Sequence, residues 1–389
     1  MDDPPLTGVA VLGSTGSIGT QALDVLAGLG ERFRVIGLSA GRNTALLYQQ
    51  IKTWKPKLVC CERELDGAVL ASAGARLAKP EAIACDPDVD VVLVGTSGTA
   101  GLMPTLAALK AGKAVALANK EVLVMAGAIV RATADGSAGS LRPVDSEHSA
   151  IWQCLWGEER RHVERLILTA SGGALRDRPL AELPRVTPDE VLRHPTWVMG
   201  RKITVDCATL LNKGLEMIEA SWLFDVPIER VDVVMHRESI VHSLVEFSDG
   251  SVKAQLGLPD MRLPIQLALT YPDRLPVHGT QPLRLADTGA LHFEPLDRGR
   301  VPCLGLAIDA ARRGGTYPAV LSAADEIAVE RFLDGRLGFA DIAHIVEDTL
   351  AAHTSASATD LNAVLEADAW ARRYADELAS RAQMRIVAR

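Results

Sequence analysis

The chain has 389 residues, which at roughly 100–200 residues per domain suggests two or three domains. Its 48% hydrophobic and 23% charged residues are the balance of an ordinary globular protein. A net charge of -8 and a pI near 5.7 argue against a nucleic-acid binder, which carries a basic excess, but leave room for a local basic pocket that takes a small anion.

No stretch approaches the ~18 consecutive apolar residues of a membrane span. Met1-Asp2-Asp3-Pro4-Pro5 has neither a basic start nor an apolar signal core, so a cytoplasmic protein without membrane association is expected. The six cysteines form no C-x-x-C pair, which speaks against a zinc site. Adjacent Cys60 and Cys61, in an apolar run, read as buried free thiols.

From Gly8 to Val144 short apolar runs alternate with helical patterns: Val9–Leu12, Phe33–Leu38, Leu58–Cys61, Val89–Val94 and Ala114–Leu117. That alternation predicts an α/β fold opening with a Rossmann-like, doubly wound parallel sheet over residues 1–144. A central α/β domain follows over 145–263, with strands at Arg165–Thr169, Ile203–Val205 and Val231–Met235. Ser243–Phe247 and Val252–Leu256 flank Asp249-Gly250, a hairpin signal. Residues 264–299 are rich in proline and read as a linker. Residues 300–389 read as a C-terminal helical bundle, where Ile342, Ile345, Val346 and Leu350 share one helix face.

The first strand runs into Gly13-Ser14-Thr15-Gly16-Ser17-Ile18-Gly19 and then a helix, Gln21–Leu29. Glycines at 13, 16 and 19 permit a tight turn and close approach of a pyrophosphate to backbone N–H groups at a helix N-terminus. The second strand ends Leu38-Ser39-Ala40-Gly41-Arg42-Asn43, with no acid for a ribose 2′-hydroxyl. Arg42 can instead pair with a 2′-phosphate, so NADPH is expected over NADH. Gly95-Thr96-Ser97-Gly98 reads equally as a nicotinamide-side loop or an ordinary turn.

Asp145 and Glu147, two apart, would project to the same side of an extended backbone. Such a pair suits a hard cation, Mg²⁺ or Mn²⁺, or is simply two solvated acids in a loop. Asn212, Lys213 and Glu216 sit at i, i+1 and i+4 of an apparent helix and can share a face, as a metal and anion site or as a surface ion pair. Ser171-Gly172-Gly173 offers a phosphate nest or a plain turn. His194-Pro195-Thr196-Trp197-Val198-Met199-Gly200, within a loop of about 186–201, reads as a mobile lid or as a satellite core cluster.

Taken in order, GSTGSIG at 13–19, ANKE at 118–121, PVDSEHSAI at 143–151, SGG at 171–173, HPTWVMGRK at 194–202, VDCATLLNKGLEMIEA at 205–220, HRESIVHS at 236–243, QLGLPDMR at 255–262 and AADEIAV at 323–329 span nearly the whole chain. The ordered set resembles the 1-deoxy-D-xylulose 5-phosphate reductoisomerase family. The resemblance implies an NADPH- and divalent-metal-dependent conversion of that sugar phosphate to 2-C-methyl-D-erythritol 4-phosphate, carried out by a homodimer. It implies that Thr15, Gly16, Ser17 and Ile18, beside Gly13, hold the pyrophosphate, and that Gly41, Arg42 and Asn43 hold the adenosine 2′-phosphate side. Asn119 and Glu121 would line the cofactor. Asp145, Glu147 and Glu216 would bind the metal. Lys120, Ser146 and His236 would face the substrate's oxygens. Ser171, His194, Asn212 and Lys213 would bind its phosphate, under a cap of Trp197 and Met199.

Four positions depart from the family's pattern. Cys207 stands where the family has a serine that donates to the phosphate, and a thiol is the weaker donor. Arg237 and Ala174 replace common prolines, and Asp325 replaces a common asparagine. Two competing readings are an NADP-dependent semialdehyde dehydrogenase with Cys207 as nucleophile and a non-catalytic NADPH-sensing protein.

Overall fold

Valine and leucine in short runs favour strands buried on both faces, as a parallel sheet requires. The structure, a computed structural model, describes residues 6–297 and 302–387. Seven strands form one sheet: β1 (Thr7–Leu12), β2 (Phe33–Ala40), β3 (Leu58–Cys61), β4 (Arg76–Leu77), β5 (Val91–Val94), β6 (Ala114–Leu117) and β7 (Ser140–Pro143). All pairings are parallel, in the order β4-β3-β2-β1-β5-β6-β7. The order reverses between β1 and β5, and the crevice at the carboxyl ends of such strands is where a dinucleotide sits. The short β4 and β7 escape the sequence pattern because neither has an apolar run.

This sheet belongs to the first of two compact units, Met1–Val122, Val130–Ser149 and Asp260–Gln281. Its core packs Val9, Val11, Leu26, Leu38 and Leu47 with Ile265, Ala268 and Leu269. The last three come from a helix, Arg262–Thr270, inside the expected linker. The i, i+3, i+4 spacing of 265, 268 and 269 makes one apolar face. Pro264 falls in the first turn, where its missing N–H costs nothing. Cys60 and Cys61, expected buried, are half-buried at the end of β3.

The second unit comprises Leu123–Ile129, Ala150–Pro259 and Pro282–Arg389. Residues 150–259 of the expected central domain and the expected helical bundle fall in this unit, while residues 145–149 and 260–263 belong to the first. Its mixed sheet has the order β11-β10-β8-β9-β12, from β8 (Val163–Ala170), β9 (Val231–Met235), β10 (Val241–Phe247), β11 (Val252–Leu256) and β12 (Glu294–Pro295). The hairpin between β10 and β11 turns at Gly250, φ 83°, with Ser251 N donating to Asp249 Oδ1 at 2.9 Å. β12 pairs with β9 from within the second part of the expected linker.

The expected strand Ile203–Val205 is instead part of a helix, Arg201–Thr209. Its β-branched residues are overridden by local bonds: Thr204 Oγ1 donates to Gly200 O at 2.8 Å, and Lys202 bridges to Asp206 one turn on. In the C-terminal part, helix Tyr317–Leu333 packs against both Asp341–Ala352 and Leu361–Val387. Ile342, Ile345, Val346 and Leu350 are all buried, as the spacing predicts.

Candidate active site

Two positions in the turn after β1, Gly13 and Gly19, tolerate no side chain. Gly13 has φ 83°, and a Cβ there would lie 2.6 Å from Gly95 O. A Cβ on Gly19 would lie 2.2 Å from Gly13 O. Gly13 N and Ser14 N both donate to Ser39 O, at 2.9 and 2.7 Å, and buried Ser14 Oγ donates to Gln50 Oε1 at 2.7 Å. Gly16 and Ser17 are exposed on the turn, flanked by half-buried Thr15 and Ile18. Helix Ser17–Leu29 starts four residues earlier than expected, with no side-chain cap and no acid in its first turn. Such an end favours an anion.

At the end of β2, Asn43 Oδ1 accepts from Leu46 N at 3.2 Å and caps helix Thr44–Trp54. Gly41 precedes Arg42, whose side chain is 81% exposed. Buried Asn119 does two structural jobs. Its Oδ1 accepts from Val122 N at 3.2 Å, and its Nδ2 donates to Gly98 O at 2.9 Å and Thr96 Oγ1 at 3.3 Å. Asn119 thereby braces the Gly95–Gly98 turn, while Glu121 lies in the first turn of the helix it caps.

Lys120 Nζ lies 2.8 Å from Asp145 Oδ2, with both side chains largely buried. Burial works against the Asp145 carboxylate, but the Lys120 charge overrides it. With His148 and a bond from Glu147 adding to Lys120, the carboxyl is held well below the usual range. The extended backbone expected for Asp145–Glu147 is corrected: Ser149 N donates to Asp145 O at 2.8 Å, and a helix runs from Ser146 to Cys154. Ser146 Oγ donates to Glu147 Oε2 at 2.5 Å within its first turn.

In the second unit, helix Leu211–Phe224 opens after Leu210, which sits at φ 58°. Asn212 Nδ2 and Lys213 Nζ each donate to one oxygen of Glu216. All three are buried, so they are no surface ion pair. Gly172 and Gly173 have φ 82° and 67°, and a Cβ on Gly173 would lie 2.9 Å from the Ala208 backbone. Cys207 is half-buried on the neighbouring helix Arg201–Thr209.

His194 links the SGG turn to the loop. Its Nδ1 accepts from Thr196 N at 3.2 Å and Trp197 N at 2.9 Å, and its Nε2 is 3.0 Å from Ser171 Oγ. With Nδ1 an acceptor, a neutral ring carries its proton on Nε2 and donates to Ser171. Burial, with Arg176 nearby, lowers the ring's pKa to about 4. Trp197 tilts against the buried His242 ring, centroids 6.1 Å apart, Met199 is half-buried, and Val198 is 97% exposed.

His236, expected to face the substrate's oxygens, is engaged on both ring nitrogens. Its Nε2 accepts from Ile240 N and Val241 N at 3.2 and 3.1 Å. Its Nδ1 meets His292 O at 2.9 Å, and the ring stacks on Phe293. Glu238 Oε2 also lies 3.1 Å from Nδ1. Sequence reasoning also missed a buried bridge at the base of the loop: Lys202 Nζ lies 2.7 Å from both Asp206 Oδ2 and Asp325 Oδ2. The i, i+4 spacing of Lys202 and Asp206 was a signal, but nothing local pointed to Asp325.

Three family models match the chain. They are described as 1-deoxy-D-xylulose 5-phosphate reductoisomerase (residues 9–127), its C-terminal domain (141–224), and the DXP reductoisomerase C-terminal domain (256–374). The chain is 51% identical over 374 residues to the reductoisomerase of Pelotomaculum thermopropionicum, covering 94% of this chain and 96% of that one. It is 49% identical to reductoisomerase 1 of Bacillus thuringiensis subsp. konkukian, covering 95% and 98%. Among solved structures, a DOX-P reductoisomerase in complex with NADPH, fosmidomycin and magnesium aligns with TM-score 0.91 at 37% identity, over 97% and 98% of the two chains. The Zymomonas mobilis enzyme in complex with NADPH aligns with TM-score 0.88 at 41% identity, over 96% and 99%. The semialdehyde dehydrogenase reading, with Cys207 as nucleophile, finds no support among these relatives. With a glycine turn fit for a dinucleotide, lysine-held carboxylates, and full-length matches throughout, the chain belongs to the 1-deoxy-D-xylulose 5-phosphate reductoisomerase family.

Proposed function

We propose that this protein converts 1-deoxy-D-xylulose 5-phosphate to 2-C-methyl-D-erythritol 4-phosphate with NADPH and a divalent metal, Mg²⁺ or Mn²⁺. One observation carries the reading: two buried carboxylates, Asp145 and Glu216, are each gripped by a lysine, Lys120 and Lys213. Buried charge is costly, and its concentration marks functional sites.

The residues fit the cofactors. The Gly13–Gly19 turn is a cradle that a Cβ at 13 or 19 would fill, and it ends at an uncapped helix N-terminus. Thr15, Gly16, Ser17 and Ile18 would hold the pyrophosphate there, with Gly41, Arg42 and Asn43 on the adenosine side and Asn119 and Glu121 toward the nicotinamide. Asp145, Glu147 and Glu216 are hard oxygen donors of the type that Mg²⁺ and Mn²⁺ prefer. When bound, the metal supplies Lewis acidity to the substrate's oxygens, and NADPH supplies hydride.

The chain's own groups do the rest. Lys120 Nζ holds or moves a proton at the substrate oxygens while the carbon skeleton rearranges and the resulting aldehyde is reduced. Ser146 faces the same oxygens. Ser171, its hydroxyl hydrogen released by the bond from His194, donates to the phosphate with Asn212, Lys213 and Cys207. Trp197 and Met199 cover the site and exclude water. Phosphate binding energy, remote from the reacting carbons, drives that closure.

The protein works as a homodimer in the cytoplasm. In support, β11 is a sheet edge with exposed Val252, and unpaired edges invite pairing. All six cysteines are free thiols, as in a reducing compartment. No helix among the described residues is long and apolar enough to cross a membrane.

The test is to mix protein, 1-deoxy-D-xylulose 5-phosphate, NADPH and Mn²⁺ and follow the loss of nicotinamide absorbance, with EDTA and NADH controls. Oxidation that needs the metal and favours NADPH is expected. No turnover with NADPH still bound would overturn the reaction while keeping the dinucleotide site. Light scattering at micromolar protein checks the dimer.

A further inference from the structure

The end of β2 carries no acid in the sequence, but the fold supplies one from the neighbouring strand. β2 and β3 run parallel with Ala40 opposite Cys61, so Gly41-Arg42 and Glu62 leave the sheet side by side. Glu62 N donates to Gly41 O at 3.2 Å, and Cys61 Sγ lies 3.0 Å from the same oxygen. A Cβ on Gly41 would meet Glu62 Oε1 at 3.6 Å. Glu62 Oε2 lies 3.5 Å from Arg42 Nε.

We infer that Glu62 is a second specificity-determining residue for the dinucleotide: its carboxylate opposes the 2′-phosphate that Arg42 attracts, and leaves a ribose 2′-hydroxyl unopposed. The inference rests on the reading of the Gly13–Arg42 crevice as a nicotinamide dinucleotide site.

Glu62 faces Arg42 in one of two capacities, as an orienting partner or as a competing charge. An orienting partner would hold the guanidinium by a short hydrogen bond. The 3.5 Å contact is longer than the usual 2.7–3.2 Å, and the side chains are 81% and 64% exposed. An exposed ion pair of this kind is loose in water and does little to fix a rotamer. A seated cofactor displaces that water and strengthens every charge interaction beside it. The 2′-phosphate, carrying up to two negative charges, then meets the positive charge of Arg42 and the negative charge of Glu62 together. A 2′-hydroxyl is neutral and donates to a carboxylate, the arrangement that selects NADH elsewhere. The pair therefore tempers the preference that Arg42 alone would set.

The experiment titrates NADPH and NADH separately, by nicotinamide fluorescence, into full-length wild-type protein, Glu62→Gln, Arg42→Ala and the double variant. Glu62 is exposed, so matching thermal melts are expected for Glu62→Gln. Removing its charge should tighten NADPH about three- to tenfold, leave NADH unchanged or weaker, and lose most of that gain at 1 M salt. The gain should persist in the Arg42→Ala background, because the repulsion acts on the phosphate directly. Unchanged or weaker NADPH binding by Glu62→Gln overturns the inference, as does equal tightening of both dinucleotides. Wild-type protein that binds neither dinucleotide overturns the cofactor reading itself, and this inference with it.

Discussion

The glycine turn after β1 and the His194 segment of the second unit make their sites in opposite ways. At the turn, backbone does the work, and what matters is the absence of side chains at Gly13 and Gly19. Around His194 and Glu216 the side chains do it: Ser171 bonds to His194, and Asn212 and Lys213 both bond to Glu216. A site made of backbone fails all at once when an atom is added. A site made of side chains fails by degrees and titrates. Substitutions on either side test that contrast.

Gly19→Val should have the largest effect. Its Cβ would stand 2.2 Å from a backbone oxygen that has nowhere to go. NADPH binding should weaken by at least ~100-fold, equivalent to ~2.7 kcal/mol, read by fluorescence titration. Binding within threefold of wild type would show that the turn is not the cofactor's seat.

Lys120→Met comes next, and it places a side-chain failure inside the first unit. It strands the buried Asp145 carboxylate, and breaking a buried pair costs about 3–5 kcal/mol. Urea denaturation should show that loss, and turnover should vanish. Adding Asp145→Asn should recover part of the stability and none of the activity. An unchanged denaturation midpoint for Lys120→Met would mean that the pair contributes nothing.

In the second unit the titrating behaviour is read at His194. Its folded pKa of about 4 lies below the ordinary 6.5, so between those values the unfolded chain binds a proton that the folded chain refuses. The stability that this ring contributes is full above pH 6.5 and is lost as pH falls toward 4. The ring resonance, followed by NMR on the substrate-free protein, should titrate near 4. A midpoint near 6.5 would contradict the burial of the ring beside Arg176. Ser171→Ala should raise the substrate KM about tenfold, through one lost charge-assisted hydrogen bond.

The smallest effect belongs to Cys207→Ser. A hydroxyl donates better than a thiol, so the KM should fall about two- to threefold with kcat unchanged. Loss of all activity in that variant would return Cys207 to consideration as a nucleophile.

Much of this was legible before any coordinates. The runs at Leu58–Cys61 and Ala114–Leu117 are strands residue for residue, because valine- and leucine-rich tetrads between turns have little else to do. The hairpin at Asp249-Gly250 was equally plain, since its turn chemistry is local. Apolar patterning failed where other contacts, near or far in the chain, outvote it. Ile203–Val205 has strand residues but folds as a helix bounded by Gly200 and the Lys202–Asp206 bridge. The proline-rich stretch after 263 hides a helix whose apolar face finds a partner only in the core of the first unit. His236, a natural candidate for chemistry, spends both ring nitrogens on backbone 56 and 4–5 residues away.

Glycine spacing and apolar period are local codes, so the parallel sheet and the glycine-rich turn follow from the residues alone. Which partner each polar group finds was set by the three-dimensional arrangement. It gave Asn119 to a turn and His236 to backbone, set Lys120 against Asp145, and brought Glu62 beside Arg42. Those choices depend on which strands lie side by side and on which charges burial forces together, and no stretch of sequence carries either.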